Sequence, residues 1–228
     1  MRQGTRWRAV MAFAAAMAWV EASVVAYLRV LIERIEPYQP DPLPLVGGLG
    51  EVELVREAAT LVMLFLIGAL AGRTWRSRLG LAVAAFGAWD LLYYVFLKVI
   101  TGWPHSLLDW DVLFLIPLPW WGPVWAPAAI AALMLAGGTL LARDLSHVAS
   151  PLPGRAAWAL AAAGAALALY CFMADALRAL GGGTLAIRRA LPVEFPWPLF
   201  LLALALLSAP VVRTAHHLYV ASAGSSPR

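Results

Sequence analysis

Apolar residues run through this chain in six long stretches, at roughly 8–32, 54–72, 79–100, 124–142, 156–180 and 197–218. A helix needs about 20 mostly apolar residues to cross the ~30 Å hydrocarbon core of a bilayer, and every stretch is of that order. Leu, Ala and Val dominate them. A membrane β-barrel would instead show many segments of about ten alternating residues. The pattern therefore predicts an all-α, polytopic membrane protein. Residues 1–228 are expected to form a single transmembrane domain, folded as a six-helix bundle.

One apolar stretch fits no span. Residues 102–127 read GWPHSLLDWDVLFLIPLPWWGPVWAP, with five prolines, two aspartates and a histidine. Ser106 and Asp109 match the Ser-x-x-Asp/Glu capping box that opens helices, and Pro117 and Pro119 would stop one. The reading is a short helix over 106–116. At 1.5 Å per residue it reaches about 15 Å, half the core thickness. It is expected to be re-entrant or interfacial, an outer lid carrying His105, Asp109 and Asp111.

Composition agrees with a lipid solvent. The chain is 62% hydrophobic and only 13% charged, where soluble domains are about 25% charged. The first 20 residues resemble a signal peptide with a site at Ala16-Met17-Ala18. Apolar character continues to Ile32, however, so they are read as an uncleaved span.

Charge sets the expected orientation. With six spans, ten of the 17 basic residues fall on one side: Arg2, Arg6, Arg8, Arg73, Arg76, Arg78, Arg143, Arg155, Arg213 and Arg228. Of the 13 acids only Asp144 joins them. Basic loops stay cytoplasmic, so the cell (inner) membrane with both termini inside is expected. The basic residues sit singly or in threes at span ends, which is a topology signal and not a nucleic-acid signal. The lipid bilayer is the partner this composition calls for. The outer loop 33–50, rich in Pro and Gly, and Gly181-Gly182-Gly183 read as irregular turns.

Recognised catalytic patterns are few. No Gly-x-Gly-x-x-Gly, Walker or Gly-x-Ser-x-Gly pattern occurs. Cys171 stands alone inside an apolar run, as a packed thiol does. None of the four histidines, His105, His147, His216 and His217, lies mid-span, which argues against a buried bis-histidine haem. His105, Asp109 and Asp111, with Glu57 as an additional member, form a candidate carboxylate-rich metal set. Most of the 11 tryptophans gather toward span ends as aromatic belts. Trp19 and Trp89 lie mid-span beside buried acids.

Those acids carry the functional reading. Glu21 and Asp90 sit near the middle of spans one and three, where a charge costs at least ~2.5–3.5 kcal/mol. Arg29, Arg56 and Lys98 lie in outer halves of spans, and Glu57 neighbours Arg56. Asp90, Tyr94 and Lys98 follow i, i+4, i+8 along one face. Asp175 and Arg178, three apart, form a secondary pair. Glu21-x5-Tyr27-Leu28-Arg29 and Asp90-x5-Phe96-Leu97-Lys98 also share a spacing. Glu21, Arg29, Arg56, Glu57, Asp90, Tyr94 and Lys98 are expected to surround one polar pocket open to the outer face. It would bind a small or amphiphilic ligand, with transport or conversion as extensions of the same reading. Two alternatives stand beside this: an accessory subunit of a larger membrane complex, with ion pairs locking a scaffold, and a membrane enzyme with a carboxylate-rich metal site.

Overall fold

A computed structural model describes residues 3–38, 49–143 and 153–224. The calls on His147 and most of the 33–50 loop lie outside these residues. Six long helices account for most of the described chain: α1 (Gln3–Leu31), α2 (Leu49–Ala71), α3 (Trp75–Thr101), α4 (Trp125–Ala142), α5 (Arg155–Arg178) and α7 (Trp197–Gly224). All six spans are long and apolar enough to cross a membrane. A 3-10 turn at Leu180–Gly182 and the short α6 (Gly183–Arg188) follow α5, at the glycine run. Helix α1 begins before its apolar window because the polar first turns, with Arg6 and Arg8, remain helical.

Helix α3 is the centre of the arrangement. It packs against α1, α2 and α4, while α4 leads on to α7 and α7 to α5. Small residues allow the close α3–α4 approach. A Cβ on Gly80 would stand 2.5 Å from the Ala142 backbone nitrogen, and one on Gly138 2.5 Å from that of Ala84. Such small-residue seams are how helices associate in lipid, where no hydrophobic effect pulls them together. The faces turned away from these seams are apolar. Val52, Val55, Val62, Phe65 and Leu70 of α2 are all exposed, as lipid contact requires.

The segment between α3 and α4 corrects the expectation of a helix over 106–116. Asp109 accepts hydrogen bonds from the backbone of His105 (2.7 Å) and Ser106 (3.2 Å), and Ser106 Oγ accepts from Leu108 N at 3.1 Å. The capping groups thus satisfy an isolated turn and start nothing longer. Beyond it the chain forms an antiparallel hairpin, β1 (Trp110–Val112) with β2 (Trp121–Pro123), in register Trp110↔Pro123, Asp111↔Gly122 and Val112↔Trp121. Pairing continues through Leu113 N to Trp120 O (2.9 Å) and Trp120 N to Phe114 O (2.7 Å). Aromatic and β-branched side chains favour strands, and Pro117 and Pro119, which lack donors, sit in the connecting loop. Gly122 lets the hairpin lie against α5, since a Cβ there would meet the Phe172 ring at 2.9 Å.

Candidate ligand cavity

A cavity of ≈ 280 Å³ lies between α1, α2, α3, α4 and the hairpin. Each element contributes through its own periodicity. Phe86, Asp90 and Tyr94 recur every four residues, so they share one face of α3, and all three line the cavity. Glu53, Arg56, Glu57 and Thr60 do the same along the first turns of α2. Glu21, Val25, Leu28 and Arg29 line it from α1, and Asp111 and Leu113 to Leu115 from the hairpin segment.

Three charged assemblies surround the space. Arg56 bridges two helices: it pairs with Glu21 of α1 and with Glu53 one turn before it, the latter also through Nε to Oε2 at 2.8 Å. Thr60 Oγ1 donates to the other Glu21 oxygen at 3.4 Å. Arg29 clamps the hairpin. Its guanidinium donates to Asp111 Oδ1 at 2.9 Å and to the Ile35 carbonyl at 3.0 Å, and it lies 4.1 Å above the centre of the Trp103 ring. Glu57 pins the loop of the hairpin, since both its oxygens accept from Leu115 N, at 3.0 and 2.9 Å.

Some groups around the cavity are left over. The Asp90 side chain makes no hydrogen bond or ion pair with another described residue, and the nearby charge is the like-signed Asp111. Asp111 is 1% exposed, and its Oδ2 has no hydrogen-bond partner among the described residues, although the Tyr94 hydroxyl approaches the carboxyl. Burial pushes the Asp111 carboxyl above the usual carboxylate range; Arg29, the Val112 N–H and Tyr94 pull it back. The indole N–H groups of Trp89 and Trp120, both in the cavity wall, are likewise buried without partners among the described residues. Five carboxyl groups line the space against three guanidinium groups. Phe86, Trp89, Tyr93, Phe114 and Trp120 make much of the remaining wall.

Of the residues singled out in the sequence, Glu21, Arg29, Arg56, Glu57, Asp90 and Tyr94 meet around this cavity, and Asp111 joins them. Lys98 does not. It is exposed, and its Nζ donates to Gly102 O at 2.6 Å, closing the end of α3. The shared spacing of Glu21–Arg29 and Asp90–Lys98 therefore has no shared geometry: Arg29 is buried at 6% exposure and Lys98 faces out. His105 and Asp109 stay on the surface, with His105 Nδ1 3.7 Å from both Asp109 and Glu36. Asp175 and Arg178 pair at 2.7 Å on α5, away from the cavity. The proposed metal set does not converge. Glu57 is taken by Leu115 and Asp111 by Arg29, and no three His, Cys, Asp or Glu side chains group to hold a metal ion among the described residues.

Sequence reasoning passed over Glu53, Thr60 and Trp103. Glu53 had a usable signal, since it precedes Arg56 by three on a helix. Thr60 and Trp103 had none, because their roles depend on which helices become neighbours. Comparison with protein-family models, curated proteins and solved structures finds no match.

Proposed function

We propose that this membrane-embedded helical protein binds a small or amphiphilic ligand in the cavity around Asp90, from the face that carries the hairpin. By the distribution of basic residues this is the outer face of the cell membrane. One observation carries the reading: an acid in the middle of a spanning helix faces open space without a cation, while the neighbouring acids Glu21, Glu57 and Asp111 are each held. An ionisable group buried in the membrane without a partner is costly and is a functional candidate by default.

The distribution of partners supports a sharper ligand class. Arg29 and Arg56 are already engaged by Asp111, Glu21 and Glu53, so the free capacity is acidic. A ligand bearing a cationic or hydrogen-bond-donating group fits Asp90, and aromatic faces attract cations as well. The indole donors of Trp89 and Trp120 suit an oxygen on the same ligand. Glu21, Arg56 and Arg29 would then hold the frame, and Tyr94 would orient Asp111.

The accessory-subunit reading draws on a different observation. Arg29 and Glu57 tie the hairpin to α1 and α2, which is also how a rigid scaffold would be locked. Titration of the purified protein with dodecyltrimethylammonium, its neutral dodecyl maltoside counterpart and dodecyl sulfate, below their micellar concentrations, separates the two. Tryptophan fluorescence, compared between the parent and Trp89→Phe and Trp120→Phe variants because the chain holds 11 tryptophans, reads occupancy of the cavity. Saturable binding of the cation that is weakened at least ten-fold in Asp90→Asn, with melting unchanged, supports the cavity. Equal, non-saturating responses to all three, with Asp90→Asn affecting only expression and melting, leave the scaffold reading.

A further inference from the structure

The opposite end of the bundle carries a second concavity of inverse charge. It is a cleft of ≈ 830 Å³ between the start of α1, the α2–α3 connection and the end of α4, lined by Arg6, Arg73, Arg76 and Arg143. Among the described residues no acidic side chain lines it. In the sequence Asp144 is the one acid at this end, so the positive charge exceeds any local compensation. The frame of the cleft is fixed. Gln3 Nε2 donates to Ala142 O at 2.5 Å and Trp7 Nε1 to Thr139 Oγ1 at 3.1 Å, which ties α1 to α4. The first turn of α3 is closed by a reciprocal Thr74–Ser77 capping box. Its helix terminus is thus already capped, and the anion-attracting groups are the guanidinium heads.

Two features turn a basic cleft into a recognition site. Arg76 Nε is enclosed and has no hydrogen-bond partner among the described residues. That leaves one N–H of a cleft-lining guanidinium without a protein acceptor, and a guanidinium fork suits phosphate oxygens. The other wall is apolar: Leu81, Leu141 and Ala142 line the cleft below the arginines, and Trp7 and Trp75 flank it. Tryptophan at this height marks the membrane interface. A charged mouth above an apolar floor is the shape of a lipid and not of a freely soluble anion.

We propose that this cleft binds the phosphate group of an anionic membrane lipid, with the acyl chains leaving along Leu81 and Leu141. Basic pockets between transmembrane helices recognise such headgroups. The site is independent of the ligand cavity at the hairpin end.

The test uses the full-length protein in a neutral detergent. Native mass spectrometry and thermal melting are followed on adding cardiolipin, phosphatidylglycerol, phosphatidylcholine of the same acyl chains, or inorganic phosphate. The two anionic lipids are expected to stay bound and raise the melting temperature, cardiolipin most. Phosphatidylcholine and inorganic phosphate are expected to do neither. A basic residue near an anionic surface contributes roughly five-fold in affinity, so Arg73→Gln with Arg76→Gln should weaken cardiolipin retention about 25-fold. Arg76→Lys keeps the charge without the fork and should lose less. Arg73→Gln alone changes only an exposed side chain, so it remains informative if the double variant does not fold. Equal retention of phosphatidylcholine, or unchanged cardiolipin binding in Arg73→Gln and the double variant, overturns the proposal. Equal stabilisation by inorganic phosphate overturns the lipid assignment.

Discussion

Removing Arg29 should cost far more than removing the whole ion pair to which it belongs. In Arg29→Met the Asp111 carboxylate keeps its place, with side-chain exposure of 2% beside 8% for Arg29 in the intact pair. With so little of the carboxylate exposed, water replaces the lost cation only in part. Breaking a buried pair from one side costs about 3–5 kcal/mol, whereas replacing both partners with apolar groups of similar volume is often neutral or stabilising. Arg29→Met also gives up the hydrogen bond to Ile35 O and the stacking on Trp103, together worth about 1–3 kcal/mol. At roughly 2–4 °C per kcal/mol for a chain of this size, the pair term alone lowers the melting temperature by about 6–20 °C. Arg29→Met with Asp111→Leu should recover most of the pair term and leave only the smaller losses. The assay is thermal melting of the two single variants, the double variant and the parent in one detergent.

Acidity gives the same cycle a second readout. Burial raises the folded-state Asp111 value above its unfolded one, and loss of Arg29 removes the largest opposing influence. The folded state then binds a proton more readily than the unfolded state. The corresponding stabilisation is complete below the unfolded value of about 3.9 and is lost as pH rises through the folded value. Arg29→Met should therefore regain stability on acidification from neutral pH, more steeply than the parent. A double variant as unstable as Arg29→Met, or a single variant within about 2 °C of the parent, would refute the reasoning.

Glu57→Ala should free the hairpin loop, because Leu115 N loses its acceptor, at a cost of about 1.5–3 kcal/mol; hydrogen exchange over 113–120 should speed up, and Glu57→Gln, which keeps a carbonyl oxygen, should show a smaller change. Gly138→Val drives atoms into the α3 backbone, 2.5 Å from Ala84 N and 2.6 Å from Gly80 O, and should lose at least about 1–3 kcal/mol or fail to assemble. Gly4→Ala meets nothing within 4 Å and should melt at or slightly above the parent temperature. Lys98→Met touches only an exposed hydrogen bond to Gly102 and should leave both melting and ligand titrations unchanged; a loss of binding there would contradict its place outside the cavity.

The bilayer explains why so much of the fold was legible. Lipid imposes a length and a composition on every span, so Arg155–Arg178 and Trp125–Ala142 could be bounded within a residue or two by apolar runs alone. The same rule says nothing about which face of a helix turns inward. Arg29 and Lys98 look alike in sequence, each a base near the end of a span after an acid eight residues before. One is sealed against Trp103 and Asp111, and the other caps its own helix, because α1 and α3 present different faces to the hairpin. The hairpin itself was hidden by a local signal that was chemically sound: Ser106 and Asp109 do exchange hydrogen bonds with nearby backbone. What decided between helix and strand was the chain beyond, where Trp120 and Trp121 return to pair with Phe114 and Val112. Pairing at that separation leaves no mark in a window of a few residues. Depth in the membrane grouped Glu21, Arg56 and Asp90 as candidates, and all three line the cavity, yet only the contact between α1 and α2 gives Arg56 to Glu21 and leaves Asp90 unmatched.

That unmatched carboxyl can be observed directly. A density map of the purified protein in lipid, fine enough to show side chains, should reveal Asp90 facing an open cavity, with non-protein density within hydrogen-bonding distance of its carboxyl and against the Trp89 and Trp120 rings. A map in which Asp90 bonds to a protein side chain, with Phe86, Phe114 and Trp120 closed over the space, would contradict a ligand site there.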